Sequence, residues 1–193
     1  GNSLEVIEAV ETLKGKGPAD LTEVCLQLAS NMLYLAGKGT EAECRVLAEN
    51  AVKSGAALER LVAMVEAQGG DSEVILNPDK FEKAPYVYEV KAEKDGYITH
   101  IDAEGCGIAS AMLGAGRETK ESEIDYTAGI ILHKKTGEKV NKGDVLAALY
   151  TSKEELFEAA AEKYKKSIFI EQEAPKKEPL VYARVTPKGI EKY

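Results

Sequence analysis

Residues 108–142 read IASAMLGAGRETKESEIDYTAGIILHKKTGEKVNK, and the fold turns on this stretch. An apolar segment, 108–113, has the length of a short helix. It runs into Gly114-Ala115-Gly116-Arg117, where the helical pattern stops. Residues 127–134 then carry the β-branched and apolar content of a strand, Thr136-Gly137 marks a turn, and residues 145–150 form a second strand. Upstream of this point the chain reads helical and downstream it reads β-rich, so two small domains are expected within 193 residues.

Working back from there, residues 86–90 alternate in period two, Asp95-Gly96 has the form of a tight turn, and YITHI follows. The pair reads as a β-hairpin. Residues 71–85 carry the breakers Asn77-Pro78 and Ala84-Pro85. The first 70 residues hold four amphipathic helical patterns. Asn2 with Glu5, Asp20 with Glu23, and Thr40 with Glu43 have capping-box spacing at three of the starts, and Gly37, Gly55 and Gly69-Gly70 supply stops. The second pattern is apolar around much of its circumference, with Leu26, Ala29 and Leu33 beside Leu21, Val24, Cys25, Leu28, Met32 and Leu35. Such a helix is expected to pack on more than one side, the second side being a sheet supplied by polypeptide outside this sequence. Working forward, Ser152 with Glu155 has the spacing that opens a last helix, IEQEAPKKEP is a charged linker, and LVYARV is a strand-like tail.

A net charge of −8, from 33 Asp and Glu against 25 Lys and Arg, argues against nucleic-acid or membrane-surface partners. No apolar run approaches the roughly 18 residues of a membrane span, and the expected compartment is the cytoplasm. Cys25, Cys44 and Cys106 form no CxxC pair and read as small core residues; His100 and His133 have no ligand-spaced neighbours.

Gly114, Gly116 and Arg117 are the most suggestive chemical group. Glycines admit close approach of the backbone to an anion, and arginine grips phosphate or carboxylate with two parallel bonds. The nucleotide-binding fingerprint is incomplete, which leaves a structural turn or a mobile loop that closes on a ligand. Glu5, Glu8 and Glu11 recur at three-residue steps, either as a solvated helix face or with one of them serving a cation. Lys134, Lys135, Lys139 and Lys142 read as a soluble hairpin edge, and Tyr126 and Tyr150 as half-buried sheet residues. No Ser/His/Asp set, P-loop or zincin motif is present.

GNSLEVIEAVETLKGKGPADLTE, AQGGD, LGAGRETKESEIDYTAGIILHKKTGEKVNKGD and LVYARV together resemble the C-terminal half of bacterial pyrimidine-nucleoside phosphorylases of the thymidine phosphorylase family. The resemblance runs in unbroken order along essentially the whole chain. It implies an α+β chain in three parts: residues 1–83 as the helical part of a large α/β domain, residues 84–167 as a β-rich domain similar to the barrel-sandwich hybrids of biotinyl and lipoyl carriers, and residues 168–193 as a linker and tail strand returning to the α/β domain. It also implies an intact homodimeric enzyme that cleaves thymidine or uridine with inorganic phosphate, giving free base and pentose 1-phosphate.

The family's Lys-His-Ser-Thr-Gly-Gly type phosphate segment and its pyrimidine-holding Arg, Ser and Lys have no counterpart in these residues. The chain opens on Gly-Asn at a helix start, as though sequence had preceded it, and it is therefore expected to be an inactive C-terminal fragment that lacks the N-terminal half. The family's monovalent cation, typically potassium, is held partly by a glutamate that aligns with Glu8. Residues 114–122 are expected near the cleft of the intact enzyme, ordering when its domains close. GEKVNKGDVLAAL also resembles the carrier pattern, so the alternative is a non-catalytic biotinyl- or lipoyl-like binding module, or a structural one, although no Met-Lys-Met or Asp-Lys-Ala attachment tripeptide is present.

Overall fold

The computed structural model describes residues 1–117 and 119–192. It is an α+β chain that divides into two compact units, one made of Gly1–Val6 with Phe81–Lys177 and the other of Ile7–Lys80 with the segment from Glu178 onward. No helix among the described residues is long and apolar enough to cross a membrane.

The mostly helical unit contains α1 (Asn2–Leu13) from Ile7 on, α2 (Ala19–Leu35), α3 (Glu41–Lys53), α4 (Ala56–Ala67) and the single turn α5 (Glu73–Leu76). Thr40 and Glu43 form the expected capping box at α3. Glu43 accepts from the Thr40 backbone N–H at 2.8 Å and returns its own N–H to Thr40 Oγ1 at 3.4 Å. Those bonds from Thr40 hold the Glu43 carboxyl below the usual range.

The other two spacings do different work. Pro18 stands at the N-cap of α2 with no side-chain cap bond, and Glu23 instead takes a two-pronged bond from Arg45 of α3 at 2.7 and 2.9 Å. Arg45 also donates to Glu49 at 2.8 Å, so α2 and α3 are tied by one guanidinium fork. Asn2 turns its carboxamide away from its own helix, as described below.

Among the described residues the buried apolar side chains of this unit are few: Val10, Cys44, Ala48 and Ile75. Leu28, Met32 and Leu35 of α2 are 62%, 70% and 82% exposed. They fall at i, i+4 and i+7, on one helical stripe with the exposed Cys25. The unit closes with the hairpin β7 (Ala183–Thr186) and β8 (Gly189–Lys192), where a single tail strand was expected. Arg184 faces inward, paired with Glu41 and lying 4.9 Å from the Tyr34 ring centroid, while its neighbour Val185 and the cross-strand partner Ile190 stay exposed.

The β-rich unit is built from two three-stranded antiparallel sheets. One has the order β1-β5-β3, from β1 (Tyr86–Lys91), β5 (Val145–Thr151) and β3 (Gly129–Leu132); the other has the order β4-β2-β6, from β4 (Lys139–Val140), β2 (Gly96–Ile101) and β6 (Ile168–Glu171). Two helices complete it, α6 (Ala103–Ser110) and α7 (Phe157–Lys166), which pack on each other. Its core is contiguous, joining Val90, Ile98, Ala109, Leu113, Val140, Leu149, Phe157 and Tyr164 with smaller residues between.

The hairpin expected at Asp95-Gly96 is not one. β1 pairs with β5 and β2 pairs with β4 and β6, so the turn carries the chain from one sheet to the other. Asp95 serves that crossover by accepting from Lys142 N–H at 2.7 Å and, through its carbonyl, from Gln172 Nε2 at 3.2 Å. The expected capping of α7 by Ser152 and Glu155 is likewise absent. The helix starts through a 3-10 turn, Glu154–Leu156, and no side chain caps it.

Candidate functional site

The helix that enters the glycine segment does not simply stop. After α6 the backbone widens into a π-turn, Ala111–Ala115, inside which Gly114 takes φ 100°. Gly114 is suited to this position twice over. A left-handed φ is inexpensive only for glycine, and a Cβ there would come within 3.2 Å of Asp125 Cβ.

The widened turn leaves three successive carbonyls without helical partners, and each is satisfied by a different part of the same unit. Leu113 O accepts from the buried Thr151 Oγ1 at 2.8 Å, Gly114 O from Asp125 N–H at 2.9 Å, and Ala115 O from Asn2 Nδ2 at 2.9 Å. The Asn2 group also reaches Asp125 O at 3.3 Å, and Ser3 donates to Tyr126 O from both its backbone N–H (3.2 Å) and its hydroxyl (2.8 Å).

Asp125 is the centre of this set. Its Oδ1 accepts from Thr127 N–H at 2.9 Å and Thr127 Oγ1 at 2.6 Å, and its Oδ2 accepts from Ser152 N–H at 2.8 Å. Partial burial pushes the carboxyl pKa up, but the hydrogen bonds from Thr127 and Ser152 outweigh it and leave the group below its ordinary value. Gly114 and Asp125, the two ends of this segment, are thereby bonded to each other. A short turn within it is held by Thr119 N–H donating to Ser122 Oγ at 3.0 Å and Ser122 N–H donating to Thr119 O at 3.2 Å. Glu118 lies outside the described residues.

The structure thus brings Gly114, Gly116 and Arg117 into one loop, with the Arg117 side chain exposed. Glu8 belongs to the other unit and is also exposed; its carbonyl takes the Thr12 hydroxyl at 2.8 Å. No group of three or more His, Cys, Asp or Glu side chains able to hold a metal occurs among the described residues. Glu5 is exposed, and Glu11 pairs with Lys14 at 3.3 Å. Tyr126 is 69% exposed rather than half-buried, because what this residue contributes inward is its carbonyl. Burial and the neighbouring Asp102 push the Cys106 thiol pKa up.

An open cleft of about 650 Å³ in the β-rich unit is lined by Lys91, Lys94 and Lys165 together with Glu93, Glu171 and Phe169. Lys165 is already paired there with Glu93 at 3.1 Å, so the rim largely neutralises itself. Asp125 escaped the sequence reading; its one local signal was the Asp-x-Thr spacing of an Asx turn.

Residues 97–171 match the family model described as the pyrimidine nucleoside phosphorylase C-terminal domain. This stretch includes the whole Gly114 to Asp125 loop and its Ser152 anchor. Over 157 residues, 81% of its length, the chain is 46% identical to the pyrimidine-nucleoside phosphorylase of Geobacillus stearothermophilus. Over the same share it is 47% identical to the enzyme of that name from Staphylococcus aureus (strain USA300). The chain spans 36% of the length of each of these relatives. Residues 97–171 are thus a C-terminal domain of the pyrimidine nucleoside phosphorylase type, and the chain is similar along 81% of its length to part of each of these enzymes.

Proposed function

We propose that this chain is the C-terminal part of an enzyme that phosphorolyses thymidine or uridine to free base and pentose 1-phosphate, and that on its own it is inactive. The observation that carries this reading is the 46% identity across 81% of the chain to a relative bearing that name. In such a reaction phosphate attacks the anomeric carbon while charge grows on the departing base. Catalysis is then a matter of positioning and electrostatic stabilisation. The segments expected to grip phosphate and pyrimidine have no counterpart in these residues, and this chain contributes support and the residues from Gly114 to Ser122, which lie near the cleft of the intact, homodimeric, cytoplasmic enzyme and order when its domains close.

The contrast between the two units supports the same reading. The β-rich unit has a finished core, whereas the helical unit buries four apolar side chains among its described residues and leaves the stripe Leu28, Met32 and Leu35 open. A contiguous apolar helix face of this kind is covered in a finished protein. The remainder of a family-length polypeptide, presenting the apolar face of a sheet, is the occupant we assign to it.

The test is direct. The purified chain, incubated with thymidine or uridine and inorganic phosphate, is expected to release no thymine or uracil above the enzyme-free control; measurable release overturns the inactivity.

The potassium ion implied by the family fits these residues only in part. Hard cations take several oxygen ligands, and Glu8 is one carboxylate on an exposed helix face. Glu8 is proposed as one ligand of a site completed by the rest of the intact protein. Potassium is accordingly expected to leave the melting temperature of this chain where an equal concentration of a bulky organic cation leaves it. A potassium-specific rise abolished by Glu8→Gln would instead mean that these residues complete the site themselves.

A further inference from the structure

We infer that Asp125 is the positioning residue of the Gly114 to Asp125 loop, setting where Arg117 emerges and so how fast the intact enzyme turns over. The part that concerns turnover rests on the closure role proposed above; the part that concerns the loop rests on geometry alone.

Four features of the site converge on this one residue. Its backbone N–H closes the loop onto Gly114 O, and its carbonyl receives Asn2 from the first turn of α1. Its two carboxylate oxygens reach opposite ways, Oδ1 to the Thr127 turn that leads into β3 and Oδ2 to Ser152 just past β5. Its Cβ lies where a side chain at position 114 would have to pass, so the close approach needs Gly114 as well. The loop's two ends are therefore referenced to α1, β3 and β5 through a single side chain and its own peptide groups. Arg117, exposed three residues beyond Gly114, is set off from that base by a short length of chain.

The chemistry of the carboxylate is also specific. The groups that bond it are donors, from Thr127 on one side and from Ser152 on the other. A carboxylate accepts on both sides at once. An amide of the same shape accepts on one side only and sets its NH2 against a donor on the other. Asp125→Asn thus opens one side of the clamp with almost no change in volume, and Thr127→Val removes the hydroxyl donor alone.

The experiment has two arms. In the 193-residue chain, amide hydrogen exchange is measured for Asp125→Asn and Thr127→Val. The expected result is exchange about tenfold or more faster at Asp125, Thr127 and Ser152 in Asp125→Asn, a smaller rise in Thr127→Val, and unchanged protection at Leu149 and Tyr164 in the core. No change, or an equal rise across the whole β-rich unit, overturns the positioning role. In a full-length polypeptide, Asp125→Asn and Arg117→Ala are each expected to lower kcat several-fold while KM for phosphate stays within about twofold. A loosened loop with kcat and KM intact in both variants overturns the link to turnover and leaves the family reading untouched. Failure of that reading would instead appear as a full-length parent protein without phosphorolysis.

Discussion

Gly96→Ala is expected to lower the stability of the β-rich unit by roughly 2–6 kcal/mol, which combines about 1–3 for an unfavourable backbone conformation with about 1–3 for overpacking. Gly96 opens β2 at φ 155°, a region that residues with a Cβ seldom enter. A Cβ placed there would lie 2.8 Å from Ile170 Cγ2 and closer still to the Glu171 carbonyl oxygen. The obstacle is the backbone of β6, which cannot rotate aside as a side chain can. β6 is held to β2 by the pairs Tyr97 with Glu171 and Ile98 with Ile170, so relieving the clash means pulling the two strands apart beside the buried Ile98.

Gly137→Ala is the matched control. Its φ is 93° but nothing stands within 4 Å of the added carbon, so only the backbone strain remains. Thermal and urea denaturation of both variants decide the matter. A drop of about 10 °C or more is expected for Gly96→Ala, and a clearly smaller one for Gly137→Ala. Equal drops would mean that the close approach of β6 is irrelevant.

The same glycine shows where local sequence reading runs out. Alternation around Asp95-Gly96 correctly identified two strands, because side-chain period is a property of each strand by itself. Their partners, however, lie some 40 to 70 residues downstream, and no turn chemistry encodes them. A tight-turn dipeptide serves a hairpin or a crossover equally well; what separates them here is the carbonyl of Glu171 resting on Gly96, a tertiary fact.

Capping spacing behaved likewise. At Thr40 and Glu43 nothing competed for the side chains, and the box formed. At Glu23 the guanidinium of Arg45 offered a stronger, charged bond, and at Ser152 the backbone was taken by Asp125. Of the candidate site, the glycines and Arg117 were legible because their conformational and charge properties are intrinsic. Asp125 was not, since its importance consists of donors contributed by distant segments.

Met32→Lys is expected to have opposite consequences in two settings, and the difference tests what the helical unit is for. In this chain Met32 is 70% exposed, and lysine and methionine are nearly equal as helix formers. The substitution should therefore alter stability by no more than about 0.5 kcal/mol here. It should improve solubility as well, because it breaks the stripe that Leu28 and Leu35 continue. In a polypeptide of the relatives' full length, for instance this chain joined behind the remaining portion of the Geobacillus stearothermophilus enzyme, the same position is proposed to face an apolar sheet. An ammonium group without a partner would there cost about 3 kcal/mol or more, which the chain meets by expelling the helix from its seat. The expected readings are an unchanged melting temperature for the short chain and, for the long one, a fall large enough to abolish phosphorolysis at the assay temperature. Arg117→Ala provides the contrast in the long chain, since it removes an exposed side chain and should slow turnover without lowering the melting temperature. If Met32→Lys is silent in both lengths, the stripe faces solvent in the intact enzyme too, and the apolar circumference of α2 has some other cause.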